Sequence, residues 1–291
     1  MRTRGKIREY GFFYLAGILA AFWFKYSFGY AKSDELLWIL TPVTRWVACL
    51  SGLSFVYDQN AGYVCHSARL VIAPSCSGLR FLIISMELLL FAFVHRTGSR
   101  RKSAVWTLFC FAVSYGYTIL VNGIRIAAAV YLPDRLERMG IRLEWLTPGR
   151  LHTVIGAAVY FTALLILYRT WDGIFGRLQR KSNEISAAGK THGRAAGNYR
   201  HRNLLPACWY LFFVLGIPFF GRVLKKDCRG YPEYAVITVG VCLGVLTAAE
   251  SGRRLLRALG AALHPQAFRT PGAGGSSFQT PLALNERTQR Y

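Results

Sequence analysis

The sequence predicts an all-α polytopic membrane protein with about six transmembrane helices, one re-entrant or interfacial segment and a short extracytoplasmic hairpin. Three observations predict it. Apolar runs recur at lengths near the roughly 20 residues a helix needs to cross a bilayer. The 291 residues are 53% hydrophobic with a mean hydropathy of +0.27, which suits burial against lipid and neighbouring helices. The 36 Lys and Arg residues, against 14 Asp and Glu, fall mainly between the apolar runs and in the tail. The net charge of +22 therefore reads as positive-inside bias and attraction to anionic membrane lipids. No nucleic-acid partner is expected.

Arg2, Arg4, Lys6 and Arg8 precede an apolar run from Tyr10 to Tyr30. The run is longer and more aromatic than the apolar region of a signal peptide. It reads as a retained first helix with its N-terminus in the cytoplasm. The next stretch, Leu36 to Val56, is apolar but contains Pro42 and Arg45. If the first helix runs outward and 79–94 runs inward, 36–56 cannot cross once. It is expected to re-enter or lie in the interface on the outer face. Phe55-Val56-Tyr57 and Tyr63-Val64 flank the turn-forming Asp58-Gln59-Asn60-Ala61-Gly62, and Leu70-Val71-Ile72 follows. This pattern predicts a hairpin.

The second crossing is 79–94. Arg80 and Glu87 lie seven residues apart and share a helix face. An intramembrane carboxylate must face protein, which makes Glu87 a functional or packing candidate. The third crossing runs from Ala104 to about Val121, and its helix continues through Asn122-Gly123-Ile124-Arg125 towards Pro133. An outer loop, 133–149, leads to a fourth crossing that Leu151-His152-Thr153 opens and that ends near Tyr168. The expected organisation is a membrane core over 1–170, a basic cytoplasmic linker over 171–203, a further two-helix membrane segment over 204–250, and a disordered basic tail over 251–291. Lys225-Lys226-Asp227 runs against the positive-inside pattern, so the topology of the last pair stays open.

Seven cysteines are present. Cys49, Cys110, Cys208 and Cys242 lie in apolar runs and read as small core hydrophobes. Cys65, Cys76 and Cys228 lie outside the membrane core, and a Cys65–Cys228 disulfide is one option. No spacing matches a zinc ribbon or finger, and no cofactor or metal is expected.

The chemistry centres on Pro74-Ser75-Cys76-Ser77-Gly78-Leu79-Arg80. The pattern sets a thiol at the first turn of a membrane helix. Unpaired N–H groups and the helix dipole there favour thiolate, the nucleophilic form. Charge placement brings Arg125 and His152 to the same extracytoplasmic boundary. Cys76 would attack a carbonyl, His152 would move the proton, and Arg125 would stabilise the oxyanion. Blander readings stand beside these: an inert packing cysteine, an interface-anchoring arginine and a satisfied histidine. Cys65-His66 is a rival nucleophile pair, although adjacent strand residues point to opposite faces. A zinc site from Cys65, His66, Cys76 and His152 is a further alternative.

The segments Pro74-Ser75-Cys76-Ser77-Gly78-Leu79-Arg80, Asn122-Gly123-Ile124-Arg125-Ile126 and Leu151-His152-Thr153-Val154-Ile155-Gly156 resemble the exosortase/archaeosortase family in identity and order. The resemblance covers about residues 36–170 and looks most like the exosortase K branch. It implies a multipass cysteine protease/transpeptidase in the cell membrane, with Cys76 as nucleophile, Arg125 as oxyanion stabiliser and His152 as general acid/base. It further implies exported protein substrates with a C-terminal motif, a transmembrane helix and a basic cluster. These would be cut through a thioester and passed to a surface acceptor, a lipid or a polysaccharide. Two other classes remain open: a non-enzymatic transporter or assembly scaffold with Arg80 and Glu87 along a polar path, and a cysteine acyltransferase with a lipid donor.

Overall fold

The computed structural model describes residues 2–28, 31–140, 145–186, 204–224 and 230–263. They belong to two units, Met1–Thr247 and Ala248–Tyr291. Six helices among the described residues are long and apolar enough to cross a membrane: Tyr10–Phe28, Pro74–Arg96, Arg100–Arg138, Pro148–Arg180, Leu204–Val223 and Tyr231–Leu256. The protein is an all-α polytopic membrane protein, as its apolar runs predict.

Helix α1 (Arg2–Phe28) is apolar on most sides. Tyr10 and Phe24 are buried, whereas Phe12, Leu15, Leu19 and Phe22 face outward, where lipid is their natural solvent. Helix α2 (Leu37–Ser51) has 15 residues. At 1.5 Å per residue it spans about 22 Å, short of a ~30 Å hydrocarbon core. It is not among the six spans. Pro42 lies inside it and lacks the N–H that would bond the Trp38 carbonyl. The Tyr115 hydroxyl donates to that carbonyl at 2.6 Å, so the freed acceptor is satisfied by a neighbouring helix.

A two-strand hairpin was the expectation for 55–73, but the structure contains three strands. Strands β1 (Val56–Asp58), β2 (Gly62–Cys65) and β3 (Leu70–Ile72) form an antiparallel sheet in that order. Its registers pair Tyr57 with Tyr63, and Val64 with Val71. The first turn is stabilised by Asp58, whose Oδ1 accepts from the Asn60 and Ala61 N–H groups at 2.8 Å each, an Asx-type turn. The second turn, His66 to Arg69, takes Arg69 to φ 49°. That left-handed residue, rarely signalled by arginine, turns the chain back into β3. Tyr57 and Gln59 donate to Asp34 and hold its carboxyl below the usual carboxylate range.

Helix α3 (Leu79–Phe93) is the buried axis of the fold, packing against α1 and the next helices in the chain. Phe81, Leu82, Leu89 and Phe93 are fully buried. Arg80 and Glu87 do not act as a pair. Arg80 is exposed at the helix start, and Glu87 is buried against α1. The Glu87 carboxylate oxygens lie 3.0 and 3.2 Å from where a Cβ on Gly17 would stand. The absence of that Cβ is what leaves room for the carboxyl.

Helix α4 (Arg100–Arg138) starts at Ser99, whose side chain accepts from the Lys102 N–H, a regular N-cap. Pro133 was expected near its end, but the helix passes through Pro133 to Arg138. The loop to α5 is correspondingly shorter, and 141–144 lie outside the described residues. Helix α5 (Pro148–Ser186) continues far beyond Tyr168, so residues 171–186 of the expected linker are helix. Trp171 and Phe175 extend its packing stripe, meeting Trp106 and Phe93 with ring centroids 5.2 Å apart in each pair. Asp172 accepts from Arg96 at 2.8 Å. The remainder of that linker, 187–203, lies outside the described residues.

Helices α6 (Leu204–Leu211) and α7 (Ile217–Leu224) are joined by a π-helical turn, Phe212–Gly216. Pro218 cannot donate to a carbonyl one turn back, and the Tyr231 hydroxyl donates to the nearby Leu215 carbonyl at 2.7 Å. Helix α8 (Tyr231–Leu263) carries the chain into the second unit. The first part of the expected tail is therefore helix, with Arg253 bonded to Glu250. Residues 264–291, Lys225-Lys226-Asp227 and Cys228 lie outside the described residues. Cys110 and Cys242 are buried as expected, but Cys49 and Cys208 are exposed, on helix faces turned away from the core.

Candidate active site

Cys76 sits one turn ahead of α3, not on its first turn as expected. Pro74–Cys76 form a single 3-10 turn, closed by the Cys76 N–H on the Ala73 carbonyl at 2.8 Å. Gly78 at φ +79° then starts α3. The first N–H of α3, on Leu79, points to the Ser77 hydroxyl. The helix dipole therefore acts on the thiol from a turn away.

Asn122 links the three sequence-predicted residues. Its Nδ2 donates to the Cys76 carbonyl at 2.6 Å. Its Oδ1 accepts from Arg125 Nε at 3.0 Å and from the Tyr160 hydroxyl at 2.7 Å. The three-residue spacing on α4 places Asn122 and Arg125 side by side. Both are buried, where an amide or guanidinium needs partners. The next contact is Arg125 Nη1 to His152 Nε2, 3.2 Å apart. A guanidinium can only donate, so Nε2 accepts and the imidazole is neutral with its proton on Nδ1. Arg125 also lies 5.4 Å above the Tyr160 ring centroid, a cation–π distance. Phe81 stacks on that ring at 4.7 Å and 16°.

Cys76, Arg125 and His152 are thus brought to one end of the helix bundle. Cys76 is half-buried and His152 exposed. Cysteine and histidine are coupled through the Cys76 backbone and Asn122, with no hydrogen bond from the thiol to His152 among the described residues. The rival pair is not assembled. Cys65 is buried in β2 with its Sγ 3.2 Å from the Ser67 hydroxyl, and His66 is in the turn beyond the strand. Among the described residues, no three His, Cys, Asp or Glu side chains converge as a metal site.

Sequence reasoning assigned no role to Asn122 and missed Tyr160. The available signal was modest: an amide and a phenol inside apolar helices, each needing a partner where water is absent. Removing the Tyr160 hydroxyl tests its importance. Tyr160→Phe keeps the stacked ring under Arg125 and deletes one bond to Asn122. The expected result is a roughly tenfold slower turnover, about 1.4 kcal/mol, with an unchanged melting profile. Tyr160→Leu, which also removes the ring, should be slower still in the same processing assay.

Arg150, two residues before His152, anchors the start of α5. It donates to the Trp145 carbonyl at 2.7 Å and pairs with Glu233 of α8 at 2.5 Å. The pair is well exposed, so it contributes orientation more than stability.

The transmembrane exosortase family model matches residues 4–169. The chain belongs to the transmembrane exosortase family. The match covers α1 to the middle of α5 and includes every residue of the Asn122 cluster. No curated protein and no solved structure matches the chain. Family membership makes it a multi-pass membrane protein of protein sorting and processing, from a family of cysteine peptidase/transpeptidase character. Helices α6 to α8 lie outside the match, although Trp209 of α6 packs on α3, donating to the Ile84 carbonyl at 3.4 Å.

Proposed function

We propose that this chain is a cysteine protease/transpeptidase of the cell membrane. It cleaves C-terminal sorting signals of exported proteins on the extracytoplasmic face and passes the products through a thioester to a surface acceptor. One observation carries the reading: the Asn122 amide ties the Cys76 turn to the Arg125–His152 pair. The basic 96–102 segment between α3 and α4 supports the side, since positive charge stays in the cytoplasm.

The chemistry follows from the donor pattern. In the resting site Arg125 Nη1 occupies His152 Nε2. A substrate carbonyl that draws Nη1 towards its oxygen frees that nitrogen to act as a base. Nε2 then takes the Cys76 proton as Sγ bonds to the carbonyl carbon, and Arg125 holds the oxyanion. The imidazolium returns its proton to the leaving amine as the C–N bond breaks, leaving a thioester. The acceptor nucleophile gives its proton to Nε2 and displaces Sγ, and the imidazolium returns that proton to the leaving thiolate.

The test uses a tagged exported protein of the same cell that ends in a short motif, an apolar helix and a basic cluster. Co-expressed with Cys76→Ala, it should stay unprocessed while the variant inserts normally. Wild-type processing would sink the reading. When the wild-type reaction is quenched in acid, mass spectrometry should find a peptide acyl group on Cys76. A fatty acyl group there would instead assign a lipid-donor acyltransferase.

A further inference from the structure

We infer that the open edge of β3 binds the extended substrate segment beside the scissile bond as a fourth strand of the sheet. The inference rests on the function proposed above and supplies its substrate-binding surface.

Among the described residues, strand β3 is paired on one side only, since the sheet order is β1-β2-β3. The Ile72 carbonyl points towards β2, because it lies 2.5 Å from where a Cβ on Gly62 would stand. Within an antiparallel strand the N–H and C=O of one residue point to the same side, and successive residues alternate. Val71 therefore presents both groups to the open edge, and the Ala73 N–H follows on that side. The backbone remains extended through Ala73 at φ −77°, ψ 165°, while the Ala73 carbonyl is held by the Cys76 N–H.

Val71 is 44% exposed, and Arg69 and Ser75 beside it are exposed as well. The strand is also anchored by packing. Ile72 is buried in the cluster that contains Ile39, Leu40 and Val43 of α2. Unpaired backbone groups on a fixed strand are a template for another chain, and strand addition is a general way to bind an extended peptide without reading every side chain. Continuity selects the occupant. Beyond Ala73 the edge enters the Pro74–Cys76 turn. A peptide laid on β3 is thereby led to the thiol, whereas a second copy of the chain would gain little from so short a strand.

Proline at Val71 removes the outward N–H without disturbing a bond to β2, which edge positions tolerate. With the same reporter, Val71→Pro should process at least about tenfold more slowly, with the loss in KM, while iodoacetamide alkylates Cys76 at the wild-type rate. Val71→Thr, which keeps the N–H, should stay within about twofold. Wild-type processing by Val71→Pro would overturn the inference and leave the Cys76 chemistry standing. Processing by Cys76→Ala would remove the chemistry itself. Crosslinking guards against misfolding of the proline variant. In a Cys76→Ala background, the thiol of Val71→Cys should form disulfides with reporter cysteines at every second position ahead of the cut. Crosslinks with no two-residue period, or none, would also overturn the strand.

Discussion

Arg125→Lys is expected to cut processing by about 10²–10³-fold, the usual cost of losing a positioned oxyanion donor. Charge alone would predict a mild effect, since lysine is also a cation. The geometry argues otherwise. One guanidinium donates through Nε to Asn122 and through Nη1 to His152, while its plane covers the Tyr160 ring. A single ammonium on a flexible stem cannot hold that fork. With lysine, Asn122 Oδ1 keeps the Tyr160 hydroxyl but loses its bond from Nε, and the amide that holds the Cys76 carbonyl is less constrained. The same variant should therefore lose the Cys76 thioester that acid quenching traps, beyond any slowing of thioester resolution. A Lys variant within threefold of wild type, an effect of about 0.65 kcal/mol, would show that Arg125 is a membrane-interface anchor.

The crossings were legible because apolar runs of sufficient length have few alternatives in a bilayer. The shortness of α2 agrees with the expectation for 36–56, which rests on the basic segments that flank the first two crossings. What made α2 viable was not legible: Pro42 needs the Tyr115 hydroxyl on the Trp38 carbonyl, a partner 77 residues away. Helix ends were read poorly for a related reason. Nothing local stops α5 at Tyr168, and Trp171, Asp172 and Phe175 extend it by packing on α3 and α4. At the candidate site, Cys76, Arg125 and His152 could be placed at one end of the bundle by counting charges. The link between them could not. It depends on how the two ends of one amide, on Asn122, are shared among the Cys76 turn, Arg125 and Tyr160, and that follows only from three segments packing together.

Gly78→Ala is expected to impair both stability and processing, and a second glycine separates the causes. Gly78 and Gly98 adopt nearly the same left-handed backbone, φ +79° and +77°. An alanine in that region costs roughly 1–2 kcal/mol wherever it occurs. At Gly98 nothing lies within 4 Å of the new Cβ, so Gly98→Ala should show that backbone cost alone and process normally once inserted. At Gly78 the Cβ would meet Asn122 Cγ at 2.9 Å, Asn122 Nδ2 at 3.0 Å and Thr118 Cγ2 at 3.0 Å. Asn122 and Thr118 are fully buried on α4 and have little room to retreat. Either the Cys76 turn lifts from α4 or the amide swings off the Cys76 carbonyl. Both break the link to Arg125. Gly78→Ala should therefore melt lower than Gly98→Ala and lose processing by more than the shared backbone cost explains. Equal melting and equal activity in the two variants would mean that the close approach of Gly78 to Asn122 does not organise the site.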